Sequence, residues 1–514
     1  MHIKRKIHSL LFLIMLPFFL LAQDSHLSFS RQQMYEDYNQ FVQIVRDYNP
    51  QINVREMVTG YNVLSRLESL RPQIDSVCSN HDYFKLLENA VSTLVDIHAY
   101  AISPTRSPFW MPLYHNTTFK AIDTSAIRSV MRYYTESPSS NCSDNSSFSF
   151  GSILQYIDGK YYTMGEIVLK GKNSKVKICE SILTKVNGEN VDTYVYNNLH
   201  KQIGAFVRWD HKNRKYYSNM LRLPLSQITF QDKEGNEKNV NLALYPVKLY
   251  RLSSGQKKIL KQFPKTESKN VVYFDNNRVI YIRIPVMSPG IEKPIIDELL
   301  HIFQDYNPEK IVFDVRNNRG GSDEVWINIV ERLICDTISF PTCLAVRNQE
   351  DIVNYCHKQW QTKLTKYNYF GQSFACVTDT FTLDPDSFNM GFKGCFYVLQ
   401  DQNTLSAAHS LSSLCRYSDR FISVGIPTGI LAGRGVGPSL FQLSNSKFTF
   451  AMECDIDFTE ISDALDCYQD NPEILVQTSL EEEIMRNFFH PKYIYSEQYL
   501  FNKDTFLQSV FNHR

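Results

Sequence analysis

Ser406 lies at a position that favours a nucleophile. The apolar run at 396–399 predicts a buried strand, a polar turn follows at 401–404, and residues 406–414 carry apolar side chains at helical spacing. A serine at a strand-to-helix turn presents its hydroxyl at the edge of a sheet, close to the free N–H groups of the helix. The alternative is that Ser406 only caps the helix, as serines often do.

Gly320 and Gly321 follow a second predicted strand, in NPEKIVFDVRNNRGGS. Because the carboxyl ends of strands in successive β-α units meet at one edge of a sheet, we expect this pair near Ser406. Backbone N–H groups without side chains can approach a ligand closely, so Gly320 or Gly321 would form an oxyanion hole with the amide of Ala407. The alternative is a plain tight turn. The spacing matches neither a dinucleotide fingerprint nor a P-loop.

Two histidines could activate such a serine. His98 lies in LVDIHAYAIS, at the predicted junction of a helix and a strand, and His409 is three residues after Ser406 on the same helical face. A histidine with a pKa near neutrality can remove the serine proton and return it to a leaving amine. The alternative for His98 is a packing or surface role, and His409 is the rival base.

The composition is that of a globular protein of two or three domains, since 43% of the 514 residues are hydrophobic and 21% are charged. The formal net charge of zero argues against a nucleic-acid partner. Residues 1–22 are predicted to be a secretory signal peptide, because three basic residues precede an apolar stretch of about twelve residues, too short to span a bilayer. We therefore expect an exported protein, periplasmic or extracellular, without a stable membrane span. The eleven cysteines have no zinc spacing, so neither a metal nor a cofactor is expected.

The first two predicted domains differ in their periodicity. Residues 23–150 carry amphipathic helical runs, the first of them ended by Asn49-Pro50, and finish in a polar loop at 136–152. Residues 151–255 are predicted to form short strands. There a strand, an Asn187-Gly188 turn and a helix resemble the second half of a PDZ module, which binds extended peptides by strand addition.

Residues 256–514 are predicted to form an α/β domain. Predicted strands and amphipathic helices alternate from residue 271 onwards, which is the pattern of β-α units. Residues 336–394 show less pattern and are expected to be an insertion with aromatic loops.

The order of these motifs resembles that of the serine peptidases of the carboxy-terminal processing and tricorn-core family. The motifs are RIPVM, a helix, KIVFDVRNNRGGS, FYVLQDQNTLSAAHSL and SVGIPTG, and the likeness covers roughly residues 270–480. In that family the Arg-Asn-x-Gly-Gly loop and the Ser-Ala segment carry the oxyanion hole and the nucleophile. The resemblance implies a multidomain α/β protein with a crotonase-like (ClpP-like) catalytic core, a PDZ-like domain and an N-terminal helical domain.

The family activates its serine in two ways, with a lysine or with a histidine, and the sequence distinguishes them. The processing peptidases use a lysine 25 positions after the nucleophile, and this position is Leu431 here. The tricorn-like branch uses a histidine in an Asp-x-His segment of the upstream helical domain, and Asp96-Ile97-His98 matches it, although Ile97 is bulkier than the residue usual there. The resemblance therefore implies that His98 is the base.

The acidic residue of the relatives lies shortly before a Pro-Asp-containing strand, which here is the segment 471–476. The spacing before this segment points to Asp466 as the acidic residue of the site, and Glu460 and Asp463 are alternative candidates near it. The alternative for all three is a solvated loop carboxylate. Arg316 is expected to brace the glycine loop or to form an ion pair, with binding of a substrate carboxylate as the alternative.

These expectations combine into an exported serine-type peptidase that cleaves peptides or unfolded protein tails, with Ser406, His98 and Asp466 as its catalytic residues. The oligomeric state is open. A second hypothesis is a catalytically decayed peptidase fold that binds peptides or another ligand, and a third is hydrolysis of a non-peptide ester.

Overall fold

The computed structural model describes residues 27–103, 118–135, 147–149, 154–224, 226–245, 247–262, 269–431, 438–468, 471–488 and 494–513. The expected signal peptide and most of the polar loop at 136–152 lie outside these ranges. Within them, every helix is too short or too polar to cross a membrane.

The helices are concentrated at the two ends of the chain and around the central sheet. In chain order they are α1 (Arg31–Tyr48), α2 (Ile52–Thr59), α3 (Val63–Leu70), α4 (Asn80–Ser92), α5 (Thr124–Ser129), α6 (Met131–Thr135), α7 (Val191–Asn197), α8 (Ser254–Leu260), α9 (Glu292–Asp305), α10 (Glu324–Leu333), α11 (Glu350–Trp360), α12 (Ala407–Leu414), α13 (Leu480–Phe488), α14 (Glu497–Lys503) and α15 (Thr505–Asn512).

The strands follow the same numbering. They are β1 (Tyr100–Ala101), β2 (Ser147–Ser149), β3 (Leu154–Ile157), β4 (Lys160–Thr163), β5 (Glu166–Lys170), β6 (Lys175–Ile178), β7 (Ile182–Val186), β8 (Glu189–Asn190), β9 (Val207–Asp210), β10 (Lys215–Ser218), β11 (Arg222–Pro224), β12 (Gln227–Gln231), β13 (Glu237–Asn241), β14 (Val247–Arg251), β15 (Val271–Phe274), β16 (Val279–Arg283), β17 (Lys310–Asp314), β18 (Ile338–Arg347), β19 (Thr365–Tyr369), β20 (Gln372–Leu383), β21 (Cys395–Gln400), β22 (Phe421–Gly425), β23 (Pro438–Gln442), β24 (Thr449–Glu453), β25 (Asp455–Asp457) and β26 (Ile474–Leu475).

A six-stranded sheet in the order β15-β16-β17-β21-β22-β26 is the centre of the fold. Its strands are parallel except for β15, which pairs antiparallel with β16 at one edge. One face packs against α9, α10 and α12 and the other against α14 and α15, so the strands are apolar on both faces. The α/β pattern predicted from residue 271 onwards is confirmed. Because β17 and β21 are parallel neighbours, the loops that follow them lie side by side at the carboxyl end of the strands.

Residues 336–394 do not form the aromatic loops predicted for them. They supply three strands of a four-stranded sheet in the order β19-β20-β18-β25, with α11 between β18 and β19 in the chain, and β25 joins from further along the chain. The long hairpin of β18 and β20 pairs Ile338 with Leu383 at one end and Arg347 with Phe374 at the other. The prediction was wrong because Pro341 lies in the middle of β18, where proline weakens a strand pattern.

The region between residues 154 and 251 is built from short antiparallel strands. One sheet has the order β13-β12-β7-β4-β3, and another has the order β14-β5-β6. The predicted strand, turn and helix are confirmed as β7, a turn in which Asn187 and Gly188 have positive φ, and α7. The polar loop predicted at 136–152 contains a strand instead at its described residues, since β2 pairs with β11.

The N-terminal helices pack against the strands that follow the central sheet. Helix α1 begins at a capping box formed by Ser30 and Gln33 and ends before Asn49, as Asn49-Pro50 predicted. Its buried face includes Phe41, whose ring lies 4.9 Å from the ring of Phe450 on β24. Strand β24 also pairs with β1, directly after the Asp96-Ile97-His98 segment. This packing brings the N-terminal helices to the edge of the sheet that carries Ser406.

Candidate active site

Ser406 occupies the turn between β21 and α12 in a strained backbone conformation. Its φ of 51° and ψ of −128° lie in a region that residues other than glycine rarely adopt, at a cost of about 1–3 kcal/mol. The Ser406 side chain makes no capping hydrogen bond to α12. The alternative interpretation of Ser406 as a helix cap is therefore wrong, and the strained turn leaves the hydroxyl to other partners.

The loop that carries Ser406 is fastened to the glycine loop by buried hydrogen bonds. One carboxylate oxygen of Asp401 accepts the N–H groups of Asn317 (3.0 Å) and Asn403 (2.9 Å). The N–H of Leu405 donates to the backbone carbonyl of Asn318 at 3.0 Å. Burial raises the pKa of Asp401, which is 1% exposed. The two loops therefore form one unit at the edge of the sheet.

Gly320 packs directly against the nucleophile. A Cβ at Gly320 would lie 2.5 Å from the Ser406 Cβ and 3.0 Å from the Ala407 nitrogen, so only glycine fits. Its N–H already donates to the side-chain oxygen of Asn318 at 2.8 Å. The role of Gly320 is therefore close approach to Ser406, with its N–H bound within the loop.

The N–H groups of Gly321 and Ala407 have no hydrogen-bond partner among the described residues. Gly321 lies against Met287 in a short parallel bridge. The hydrogen bonds of this bridge join Met287 to Gly320 and Ser322, the residues on either side of Gly321, so the N–H of Gly321 takes no part in them. Ala407 is the first residue of α12, where N–H groups have no partner within the helix. Of the three predicted oxyanion residues, Gly320 already uses its N–H in a hydrogen bond to Asn318. The N–H groups of Gly321 and Ala407 are available to a substrate.

His98 lies beside Ser406, although 308 residues separate them in the chain. The ring Nε2 is 3.3 Å from the Ser406 Oγ, and the ring Nδ1 is 2.5 Å from the Glu453 Oε2. Since a carboxylate only accepts hydrogen bonds, Nδ1 carries the proton, and Nε2 is left to accept from the serine hydroxyl. The arrangement has the geometry of a nucleophile, a base and an acid that orients the base.

The pairing of β1 with β24 explains why Glu453 faces His98. In this antiparallel pair Tyr100 lies opposite Ala451, and continuing the register by two residues sets His98 opposite Glu453. Glu453 ends β24 and is 3% exposed.

Asp96 holds the two partners in this position. One of its oxygens accepts the backbone N–H of His98 at 2.9 Å, and the other accepts the backbone N–H of Glu453 at 3.1 Å. Burial and the nearby charge of Glu453 raise the pKa of Asp96. Asp96 therefore positions His98 and Glu453 and does not contact Ser406 through a hydrogen bond.

The electrostatic surroundings of His98 favour the protonated ring. Burial lowers the pKa of His98, but the charges of Glu453 and Asp96 and the hydrogen bond to Glu453 outweigh it, so the pKa lies above its ordinary value of 6.5. The ring is therefore a stronger base than a free histidine.

Asp466 is not at the histidine. Its carboxylate accepts the N–H groups of Ser462 (2.7 Å) and Asp463 (3.0 Å) and caps a surface loop. Asp463 in turn accepts the N–H of Leu465 at 2.7 Å. The spacing led to the wrong carboxylate, and Glu453 holds the position expected for Asp466. A single acid in the apolar strand FTFAME was the signal in the sequence, because a buried carboxylate requires a partner.

Arg316 forms a buried ion pair and is 1% exposed. Its guanidinium lies 2.6 Å from Asp314 and 2.8 Å from Asp504. These contacts agree with the expected bracing and ion-pair role, and they leave the alternative of substrate binding without support.

The sequence of this chain matches one known protein family over part of its length. Residues 278–460 match the profile of peptidase family S41, a segment that includes Gly320, Ser406 and Glu453. The chain is a serine-type peptidase. No curated protein sequence matches it.

Among solved structures, the peptidase is similar to mature CPAF. One structure of mature CPAF has a TM-score of 0.50 at 12% identity and covers 89% of this chain and 95% of that chain. A second, complexed with lactacystin, has a TM-score of 0.52 at 12% identity over 94% of this chain and 98% of that chain. The photosystem II D1 C-terminal processing protease reaches a TM-score of 0.38 at 13% identity, over 88% of this chain and 96% of that chain. The likeness to mature CPAF shows a shared multidomain fold.

Ser406, His98 and Glu453 line a small cavity of about 10 Å³, which is the size of one water molecule. Ile97, Ile430 and Leu431 form its apolar wall, and His409 also lines it. Leu431 and Ser406 thus line the same cavity. His98 and not His409 makes the hydrogen bond to the serine.

Asp96, His98 and Glu453 are also the residue types that bind metal ions, and their potential ligand atoms lie within 4.8 Å of one another. Both oxygens of Asp96 accept backbone N–H groups, and Nδ1 of His98 faces Glu453. A metal ion bound at Nδ1 of His98 would have to displace the proton of this nitrogen and its hydrogen bond to Glu453. The geometry therefore fits a hydrogen-bonded relay better than a metal centre.

Proposed function

We propose that the peptidase cleaves peptides or unfolded protein tails through an acyl-enzyme on Ser406. The observation that carries this proposal is the chain of hydrogen bonds from Ser406 to His98 (3.3 Å) and from His98 to Glu453 (2.5 Å). Two free N–H groups beside the serine and the strained turn support it.

In this mechanism His98 Nε2 removes the proton of Ser406 as the Oγ attacks a peptide carbonyl. The N–H groups of Gly321 and Ala407 stabilise the negative oxygen of the tetrahedral intermediate. The protonated His98 then gives its proton to the leaving amine, and a water molecule, activated by the same nitrogen, releases the acyl group. Glu453 keeps the ring in the required tautomer and stabilises its positive charge.

We infer that the peptidase resembles the tricorn-like, histidine-using serine peptidases, and the position of His98 beside Ser406 supports this inference. The described residues that line the cavity with Ser406 include Leu431 and no lysine, which also supports it. We also infer a crotonase-like core in residues 256–514, a PDZ-like domain in 151–255 and a helical domain in 23–150. The short strands and helix α7 support the PDZ-like assignment. The basic and apolar start of the sequence supports export to the periplasm or the cell exterior.

The direct test is hydrolysis of a reduced and alkylated protein, which offers extended chain without tertiary structure. The purified protein should release peptides, and Ser406→Ala and His98→Ala should abolish the release, while Asp466→Asn retains it. Peptide binding without hydrolysis by the unaltered protein would favour a decayed, peptide-binding fold and contradict the proposal.

A further inference from the structure

A second cavity, of about 420 Å³, lies next to the nucleophile helix. Its base is one face of the β18–β20 hairpin, where Leu344 pairs with Val377 and Thr342 pairs with Asp379. These residues alternate along their strands, so they project from the same face. The volume lies within the usual range for a ligand pocket, in contrast to the small cavity lined by Ser406, His98 and Glu453.

The walls of this cavity are two helices that both begin at the catalytic loops. Helix α10 contributes Trp326 and Ile327, only a few residues after Gly321, and α12 contributes Ser410 and Leu414. Ser406, Ser410 and Leu414 are spaced four residues apart, so the cavity starts about one helical turn, or 5.4 Å, from the nucleophile. A side chain attached beside the attacked carbonyl can reach this distance.

The second cavity and the cavity that contains His98 are lined by different residues of the segment that carries the nucleophile. The small cavity that contains His98 is lined by Ser406 and His409, whereas the second cavity is lined by Ser410 and Leu414. Because His98 must reach the leaving amine, the leaving part of the substrate lies on the His98 side. The residue that supplies the carbonyl then lies on the other side of the scissile bond, and the second cavity, about one helical turn from Ser406, is available to its side chain.

The residues that line the second cavity indicate which type of substrate side chain it would bind. Its large members are apolar: Trp326, Ile327, Leu344, Val377, Phe381 and Leu414. The indole N–H of Trp326 donates to Asp323, another lining residue, at 2.8 Å, so this polar atom already has a partner within the protein. The described lining residues include two acids and no lysine or arginine, which disfavours a substrate carboxylate.

We propose that this cavity binds the substrate residue whose carbonyl is attacked, and that it takes a large uncharged apolar side chain such as Leu, Met or Phe. The inference rests on the proposed function, since it requires cleavage at Ser406.

The test is a mixture of unfolded peptides digested by the full-length protein, with cleavage sites mapped by mass spectrometry. The unaltered protein should cut after Leu, Met and Phe in preference to Ala, Lys and Asp. Val377→Trp should reduce the cuts after large apolar residues roughly 10- to 200-fold and spare cuts after Ala, because it fills the cavity. Val377→Ala, which enlarges the cavity, should shift the preference towards Phe and Trp.

The matched control is Thr378→Trp, since Thr378 is the next residue of β20 and points away from the cavity. Each variant is first labelled with a fluorophosphonate, which needs the nucleophile and base but no large side chain. An unchanged cleavage profile in both Val377 variants, with normal labelling, would overturn the inference alone. If the unaltered protein neither reacts with the label nor cuts any peptide, the proposed function fails and this inference fails with it.

Discussion

A neutral histidine with its proton on Nδ1 is what the Ser406 hydroxyl needs, and Glu453 is the residue that imposes this tautomer. The carboxylate of Glu453 is buried and lies 2.5 Å from the His98 ring. The backbone N–H of Glu453 donates to Asp96, which fixes the residue in place. The proposed chemistry at the residue scale therefore depends on an acid at the end of β24, whereas Asp466 is bound within a surface loop.

Glu453→Gln should lower kcat/KM by roughly 10³- to 10⁴-fold, because the amide can hold the ring in the wrong tautomer and cannot stabilise its charge. The measurement is steady-state hydrolysis of a quenched peptide. Asp466→Asn is the matched control and should change kcat/KM less than twofold, as expected of a surface cap. Equal losses in the two variants would contradict the assignment of Glu453.

The pH dependence follows from the raised pKa of His98. The ring must be neutral to accept the serine proton, so activity is lost as the pH falls through its pKa. The acid limb of kcat/KM should have a midpoint above 6.5, because Glu453 and Asp96 favour the protonated ring. In Glu453→Gln the residual activity should show this midpoint at lower pH, and a midpoint that stays in place would argue against Glu453 as the cause.

Some of these residues could be predicted from the sequence and others could not. Ser406, His98 and the glycine pair lie in local motifs, a strand-to-helix turn, an Asp-x-His segment and a Gly-Gly loop, and the structure brings them together. Glu453 meets His98 only through the pairing of β1 with β24, over a separation of 355 residues. No local pattern encodes such a register, and the spacing in the sequence points to Asp466, which lies in a different loop.

At the scale of elements, the glycine loop and the nucleophile turn act as one piece. Asp401, Asn317 and Asn318 join them by hydrogen bonds, and Gly320 lets their backbones come close. The free N–H groups of Gly321 and Ala407 are thus fixed relative to the serine before any substrate arrives.

Gly320→Ala should reduce kcat/KM by roughly 10²- to 10³-fold, because the new methyl group would lie 2.5 Å from the Ser406 Cβ and displace the oxyanion donors. Gly290→Ala is the control, since Gly290 also has a positive φ (98°) but has open space around it. If both variants lose activity equally, backbone strain and not the clash would explain the effect.

The predictability of the elements also follows from their environment. The strands of the parallel sheet are buried on both faces and appear as continuous apolar runs, so β16, β17 and β21 could be predicted. Strands β18 and β20 contain a proline and exposed residues, and their pairing spans a helix and another strand. Their sheet, and the cavity it forms, could not be found from the sequence alone.

At the scale of the whole molecule, the catalytic site depends on contacts between distant parts of the chain. One hydrophobic core joins the N-terminal helices, the short-stranded region and β24, and the rings of Phe41 and Phe450 meet within it. His98 and Glu453 both belong to elements at this junction. Catalysis therefore requires the packing of the helices against the peptidase sheet.

Phe41→Ala should lower the free energy of unfolding by about 3–5 kcal/mol, because it leaves a cavity beside Phe450 and β24. Activity should fall at temperatures where the protein is still folded, since β24 carries Glu453. Urea unfolding and peptide hydrolysis give the two quantities. The control is Phe388→Ala, whose side chain is 74% exposed and should have little effect on either.

The central claim, that Ser406 is a nucleophile activated by His98, is tested most directly by mapping a fluorophosphonate adduct on the intact protein by mass spectrometry. We predict one adduct on Ser406, none in Ser406→Ala, and a rate of labelling reduced by at least about 10²-fold in His98→Ala, as expected for loss of a general base. Labelling that persists unchanged in Ser406→Ala, or that maps to another residue, would contradict the assignment.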